Sequence, residues 1–420
     1  MTWITYIVSA LAVLLFVELV LFLVVNYFRR EFQWLITKAD EIPAFDRKAL
    51  GKFIRNGHDP DLGWTRKPNA SGVEKKQGGE TTYTIDADGA RTNSQVLGKQ
   101  ALVAVFGDSY AFCRQVNDDE TWQFHMTRKS NMGILNYGVG NYGIDQALLR
   151  YESTELPASI KIAVLAFVPE TICRIRSYWK HYLEFGNTFA FKPRFALEGG
   201  NLVLHHNMMK RESDFYSLAD KLPRIQEIDG YYRPKFKSLQ FRFPYVISFL
   251  RNPTRNMELL CSLACRKCAR VLNVSSSRIE NRPFKLVMVR NIRDAHRMYE
   301  NADATDLFRL IAIRFHETAK VRGHQAVLLV MPQLIDILMC RDRPVPYGRF
   351  FEELKTDISV IDLTERLRSR NLRELYVEDG YGGHFSTRGN ELLSEYIYDE
   401  LCVQFPDVFS GATDRLASGQ

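Results

Sequence analysis

Two kinds of apolar run divide this chain. The first is Ile4 to Val25, ITYIVSALAVLLFVELVLFLVV, 22 residues with one charge, Glu18. At about 1.5 Å per helical residue it covers about 33 Å, the thickness of a hydrocarbon core. Trp3 and Tyr27 stand at its ends, where amphipathic rings prefer the interface. A cleaved signal peptide has a shorter apolar core and a basic start, and no Lys or Arg precedes this run. The pattern predicts an uncleaved membrane anchor over residues 1–28, in contact with the lipid bilayer through residues 4–25. Glu18 is expected to stay protonated or to find a helix partner.

The second kind is short and mostly apolar: ALVAVF (101–106), wholly so, then GILNYGV (133–139), IKIAVLAFV (160–168), HQAVLLVM (324–331) and ISVIDL (358–363). Runs of this length suit strands buried on both faces. The segments between them, such as IDQALLRYES and TDLFRLIAIRFHETAK, carry helical spacing. Strand–helix alternation predicts an α/β fold, a parallel sheet covered by helices. Around it we expect a helical stalk at 29–56 and a turn-rich extension at 57–98. The latter should contain a small hairpin, with a turn signal at Asp88-Gly89. The main domain spans 99–405, interrupted by a helical insertion at about 174–305, and a tail follows at 406–420.

Composition changes this picture little. With 46% hydrophobic and 25% charged residues the chain is ordinary for a folded protein. A net charge of +7 over 420 residues, with both signs mixed, does not call for nucleic acid. Arg29, Arg30 and Lys38 follow the anchor and nothing basic precedes it, so the positive-inside rule puts the large domain in the cytoplasm. Seven cysteines, an odd number, fit a reducing compartment. Cys261, Cys265 and Cys268 share one helical face, a pattern expected of buried thiols on an amphipathic helix rather than of an iron–sulfur cluster. Arg174, Arg176 and Lys180 are expected on a solvated helix face.

The candidate chemistry lies where the first short run ends, in VAVFGDSYAFC. A serine on a sharp turn after a strand is exposed for attack, and ligand sites in parallel sheets lie at the carboxyl ends of strands. A nucleophilic serine needs a base and donors for the oxyanion. His384, in GGHFSTRGNELL, follows a glycine-rich loop and precedes a helix that Ser386 or Thr387 can cap. Asp379 lies five residues upstream of it.

VFGDSYAFC, LNYGVGNYGIDQALL and GGHFSTRGNELL, in that order, resemble the SGNH (GDSL-type) hydrolase superfamily. The resemblance covers roughly 59–405, less most of the insertion. It implies a three-layer fold with a five-stranded parallel sheet and ester or acyl-group chemistry, without metal or organic cofactor. Carried over by residue, Ser109 is the nucleophile, His384 the general base and Asp379 its orienting acid; the oxyanion hole takes Ser109, Gly140 and Asn141. The chain departs from the family in three places. Asn141 stands where a glycine is usual. No asparagine follows the third strand, where FVPETICR carries Glu170 and Thr171. The acid lies five residues before the histidine instead of two or three. Asn141 is expected to supply the missing amide donor.

The function expected is a membrane-anchored serine esterase or O-acyltransferase, acting on an acylated sugar or lipid. A lipid esterase or thioesterase, and a catalytically silent scaffold, are the alternatives.

Overall fold

The computed structural model describes residues 2–76, 78–377 and 383–409. Asp379 and most of the 406–420 tail therefore lie outside the described residues. In chain order the elements used below are α1 (Thr2–Arg29), β1 (Ala101–Gly107), α2 (Trp122–Ser130), β2 (Gly133–Asn136) and α3 (Ile144–Ser153). They continue with β3 (Ile162–Phe167), α4 (Tyr245–Leu250), α5 (Pro253–Val271), α6 (Ala302–Val321), β4 (Gln325–Val330), β5 (Ser359–Asp362) and α7 (Thr387–Gln404).

The five short apolar runs become one five-stranded, all-parallel sheet in the order β5-β4-β3-β1-β2. Its alternating side chains feed two apolar layers. On one face Val103, Val105, Val164, Val327 and Leu329 pack with Trp122 and Met126 of α2 and Leu393 and Ile397 of α7. On the other, Phe106 meets Tyr151 of α3 at 5.4 Å between ring centres, and Phe167 meets Phe308 of α6 at 5.6 Å. The result is a three-layer α/β fold. Caps set the helix starts on the first face: Thr121 Oγ1 accepts from the Phe124 N–H at 3.1 Å, and Ser386 Oγ from the Gly389 N–H at 3.0 Å.

The chain divides into two compact units. The sheet unit holds Arg55–Arg176, Pro193–Asn207 and the chain from Met288 onward. It includes an antiparallel hairpin, Ser71–Lys76 with Gly79–Thr84, which lies earlier than the Asp88-Gly89 turn. That turn closes a tighter loop, with the Asp86 N–H donating to Ala90 O at 2.8 Å.

The second unit holds α1, the chain up to Ile54, Ser177–Lys192 and Met208–Val287. Its core comprises Val25, Phe32, Leu35, Phe241, Leu259, Leu263 and Val287. Two expectations change here. The region 29–56 is no continuous stalk: it breaks into a 3-10 turn, Lys38–Glu41, and a helix, Arg47–Asn56. Phe32, Leu35 and Ile36 are buried, so burial folds this chain back, and Pro43 cannot continue a helix. The insertion is not one piece either, since the hairpin Arg194–Glu198 with Asn201–His205 groups with the sheet unit. On α5 the three cysteines share a face as expected, but that face is exposed. The buried face is formed by Leu259, Ser262, Leu263, Arg266 and Ala269. Among the described residues no cluster of His, Cys, Asp or Glu is grouped to hold a metal ion.

Candidate active site

β1 ends at Gly107 because nothing larger fits. Its φ is +153°, and a Cβ there would stand 1.8 Å from Ala166 O on the neighbouring strand β3. The chain turns through Asp108, whose Oδ1 accepts from the Tyr110 N–H at 2.8 Å. Ser109 sits at the tip of this turn. The following loop is held in two left-handed residues, Cys113 (φ 60°) and Gln115 (φ 68°). Such backbone costs of order 1–3 kcal/mol per residue and persists only when its surroundings enforce it.

The 57–98 extension does the enforcing. Buried Arg91 donates through Nη1 to Phe112 O and Cys113 O, and through Nη2 to Val116 O, each at 2.7 Å. Glu74, on the hairpin, accepts from the Gln115 N–H at 3.2 Å and from Arg114 Nε at 3.0 Å. From the same extension, Trp64 Nε1 donates to Gly140 O at 3.0 Å.

The glycine loop after β2 runs against the Ser109 turn. The Val139 N–H donates to Gly107 O at 2.9 Å. A Cβ on Gly138 would stand 2.3 Å from Phe112 N, so only glycine permits this approach. A Cβ on Gly140 would lie 4.0 Å from Ser109 Cβ. Among the described residues, the backbone N–H groups of Ser109 and Gly140 have no acceptor. Asn141 follows with an exposed side chain and φ +69°.

His384 arrives from 275 residues away. Its strand segment pairs back, the Val377 N–H donating to His384 O at 2.8 Å. Its Nε2 lies 2.8 Å from Ser109 Oγ. Gln115 Oε1 accepts from the His384 backbone N–H at 3.0 Å and faces Nδ1 at 3.0 Å. A backbone N–H only donates, so the amide atom between them is the oxygen, and Nδ1 carries the ring proton. That tautomer leaves the Nε2 lone pair to accept the serine proton. Tyr110 packs on the imidazole at 4.7 Å between ring centres. Burial first, then Arg114 and Arg174, push the imidazole pKa down to about 3.

Arg174 contradicts its expected place on a solvated face. It is buried, with Nη1 donating to Asp108 Oδ2 at 3.1 Å and to Tyr142 O at 3.2 Å, and Nη2 to Glu170 Oε2 at 2.9 Å. Asp108 Oδ2 also accepts from the Val168 N–H at 3.0 Å. Lys180 is likewise buried, 3.2 Å from Glu184. After β3, Thr171 Oγ1 accepts from the Ile144 N–H at 3.0 Å and holds the start of α3.

The structure thus brings together Ser109, His384 and Gly140. Sequence reasoning missed Gln115, Glu74, Arg91 and Trp64. Nothing in their spacing distinguishes them, since each acts across a gap that only the fold closes.

No family model matches the chain, and no curated protein matches it. Among solved structures it is similar to a protein described as a lipolytic protein of the G-D-S-L family from Desulfitobacterium hafniense DCB-2. The identity is 10% and the TM-score 0.29, over 71% of this chain and 98% of that one.

Proposed function

We propose that the chain is a serine esterase of the SGNH (GDSL-type) kind, tethered to a membrane by residues 4–25. One observation carries the reading: Ser109 Oγ lies 2.8 Å from a ring nitrogen of His384 whose partner nitrogen is committed to an acceptor.

The chemistry follows from that contact. His384 Nε2 takes the Ser109 proton as Oγ bonds to the acyl carbonyl carbon. The resulting oxyanion is held by the Ser109 and Gly140 N–H groups, with the Asn141 amide as a further donor. As the tetrahedral adduct collapses, the imidazolium returns its proton to the departing alcohol oxygen, leaving an acyl-serine. Water, or the hydroxyl of an acceptor, then attacks by the same route. Water makes the protein an esterase; a sugar hydroxyl makes it an O-acyltransferase. Acylated sugars or lipids are the substrate class. Arg29, Arg30 and Lys38 favour the cytoplasmic face for the domain that follows.

The test is a fluorophosphonate probe on the full chain. Labelling of the wild type and not of Ser109→Ala is expected. A folded protein that takes no label would overturn the esterase reading in favour of a silent scaffold.

A further inference from the structure

α1 is long and apolar enough to cross a bilayer, with mean hydropathy 3.0. From Trp3 to Val20 every residue of it is exposed except Glu18. The Glu18 carboxylate accepts from the first two N–H groups of α4, that of Tyr245 and, at 2.9 Å, that of Val246. The Phe22 ring meets Tyr245 edge-on at 5.5 Å. Among the described residues Glu18 makes no ion pair.

Depth is what makes this contact informative. Glu18 precedes Val25, where the apolar run ends, by seven residues, or about 10 Å of helix. If residues 4–25 span a membrane, whatever bonds to Glu18 lies that far inside the hydrocarbon. A lone carboxylate there is costly, and so is an unpaired backbone N–H. Glu18 and α4 relieve each other of both costs.

The rest of the segment is built for the same surroundings. Phe243, Ile247 and Leu250 are 75%, 52% and 62% exposed. Its polar side chains close inward. Ser248 Oγ donates to Arg242 O at 2.7 Å, and Asn256 of α5 reaches back to donate through Nδ2 to Phe249 O at 3.0 Å. Arg242 and Arg251 flank the apolar stretch, and side chains of that length can carry their charge back to the interface.

We propose that residues 243–250 form a re-entrant element that inserts among lipid acyl chains beside α1 and is latched there by Glu18. The proposal rests on the anchor reading of residues 4–25 and is independent of the esterase chemistry. Its occupant is lipid: the exposed apolar residues of the element stand on a segment bonded to α1 at Glu18 and packed on it at Phe22, and α1 exposes its own apolar residues.

The experiment uses the full chain in lipid nanodiscs, with and without mid-chain brominated lipid, which quenches indole fluorescence on contact. Phe243→Trp and Leu15→Trp each add one indole, read as the difference from wild type. Quenching at both positions is expected, as for indoles inside the hydrocarbon core. Adding Glu18→Ala to Phe243→Trp is expected to remove most of that quenching. Quenching at position 15 without quenching at 243 would overturn the proposal and leave the anchor standing. Quenching at neither would overturn the anchor reading and the proposal with it. Unchanged quenching at 243 in the Glu18→Ala background would overturn the latch.

Discussion

The two partners of the Ser109–His384 hydrogen bond are supported by different physics. On the serine side the turn is fixed by charge. Arg174 ties Asp108 to Glu170, Arg91 grips three carbonyls of the loop, and Glu74 holds its far end. On the histidine side, the described residues offer one neutral amide, Gln115, and the face of Tyr110. Buried charges resist displacement because each would be left unpaired in a low-dielectric interior. A neutral amide orients a ring but adds little to a positive one. Ser109 is therefore held firmly in space, while His384 is chiefly held in its tautomer. This arrangement suits the proposed role of His384, which is to take a proton and then give it back.

Changes to the reacting pair itself carry the largest effect. Ser109→Ala and His384→Ala should each lower kcat on a p-nitrophenyl ester by about 10⁴-fold or more, and the double variant should be little worse than either. If the two losses multiply, the residues do not act as a unit. Next comes the charged side. Arg174→Ala leaves Asp108 and Glu170 buried without their cation and should cost about 3–5 kcal/mol of stability, read by denaturant unfolding. A loss below about 1 kcal/mol, the range of an exposed pair, would remove the distinction drawn between the two sides.

That distinction also decides what could be read from sequence. The five strands were legible because each is largely buried on both faces and leaves a mostly apolar run. Ser109, Gly140 and His384 were legible because turns and glycine blocks mark where backbone must bend or approach closely, as at Gly107 and Gly138. The supporting groups were not. Arg91 and Glu74 lie in an extension that reads as turn-rich connection, and Gln115 is an unremarkable polar residue in a loop. Arg174 has helical spacing among other cations, which reads as a solvated face until the fold sets Asp108 and Glu170 against it. The region 29–56 misled for a related reason: its apolar residues are interleaved with charges and read as a solvated helix, yet Phe32, Leu35 and Ile36 are buried.

The histidine side gives a smaller and more specific effect. Gln115→Ala removes the acceptor at Nδ1 and should lower kcat by about 10–100-fold, with KM little changed, as when an outer partner of a functional histidine is lost. Gln115→Glu keeps an acceptor and adds a charge, so it should retain activity and raise the imidazole pKa. The comparison sharpens when Asp379→Asn is measured beside them. A larger loss in Asp379→Asn than in Gln115→Ala would move the orienting role to the acid.

The smallest effect separates charge from contact. With its pKa pushed down to about 3, His384 is neutral, and able to act as a base, well below the ordinary histidine value of 6.5. The acid limb of kcat/KM should therefore fall below pH 6.5. Stability has the matching sign. Between pH 6.5 and about 3 the unfolded histidine binds a proton that the folded one does not, so this group lowers stability as pH falls through that window and has no such effect above it. Arg114 contributes through its charge alone, since its contact is with Glu74. Its side chain is 40% exposed, so solvent screens it. Arg114→Gln should move the acid limb upward by no more than about one pH unit, and by less in high salt. Glu74 keeps its bond from the Gln115 N–H and its pairing with Arg66 at 3.3 Å, so the loop should hold. An unmoved limb would mean that the charge of Arg114 does not reach the imidazole, leaving burial and Arg174 to lower its pKa.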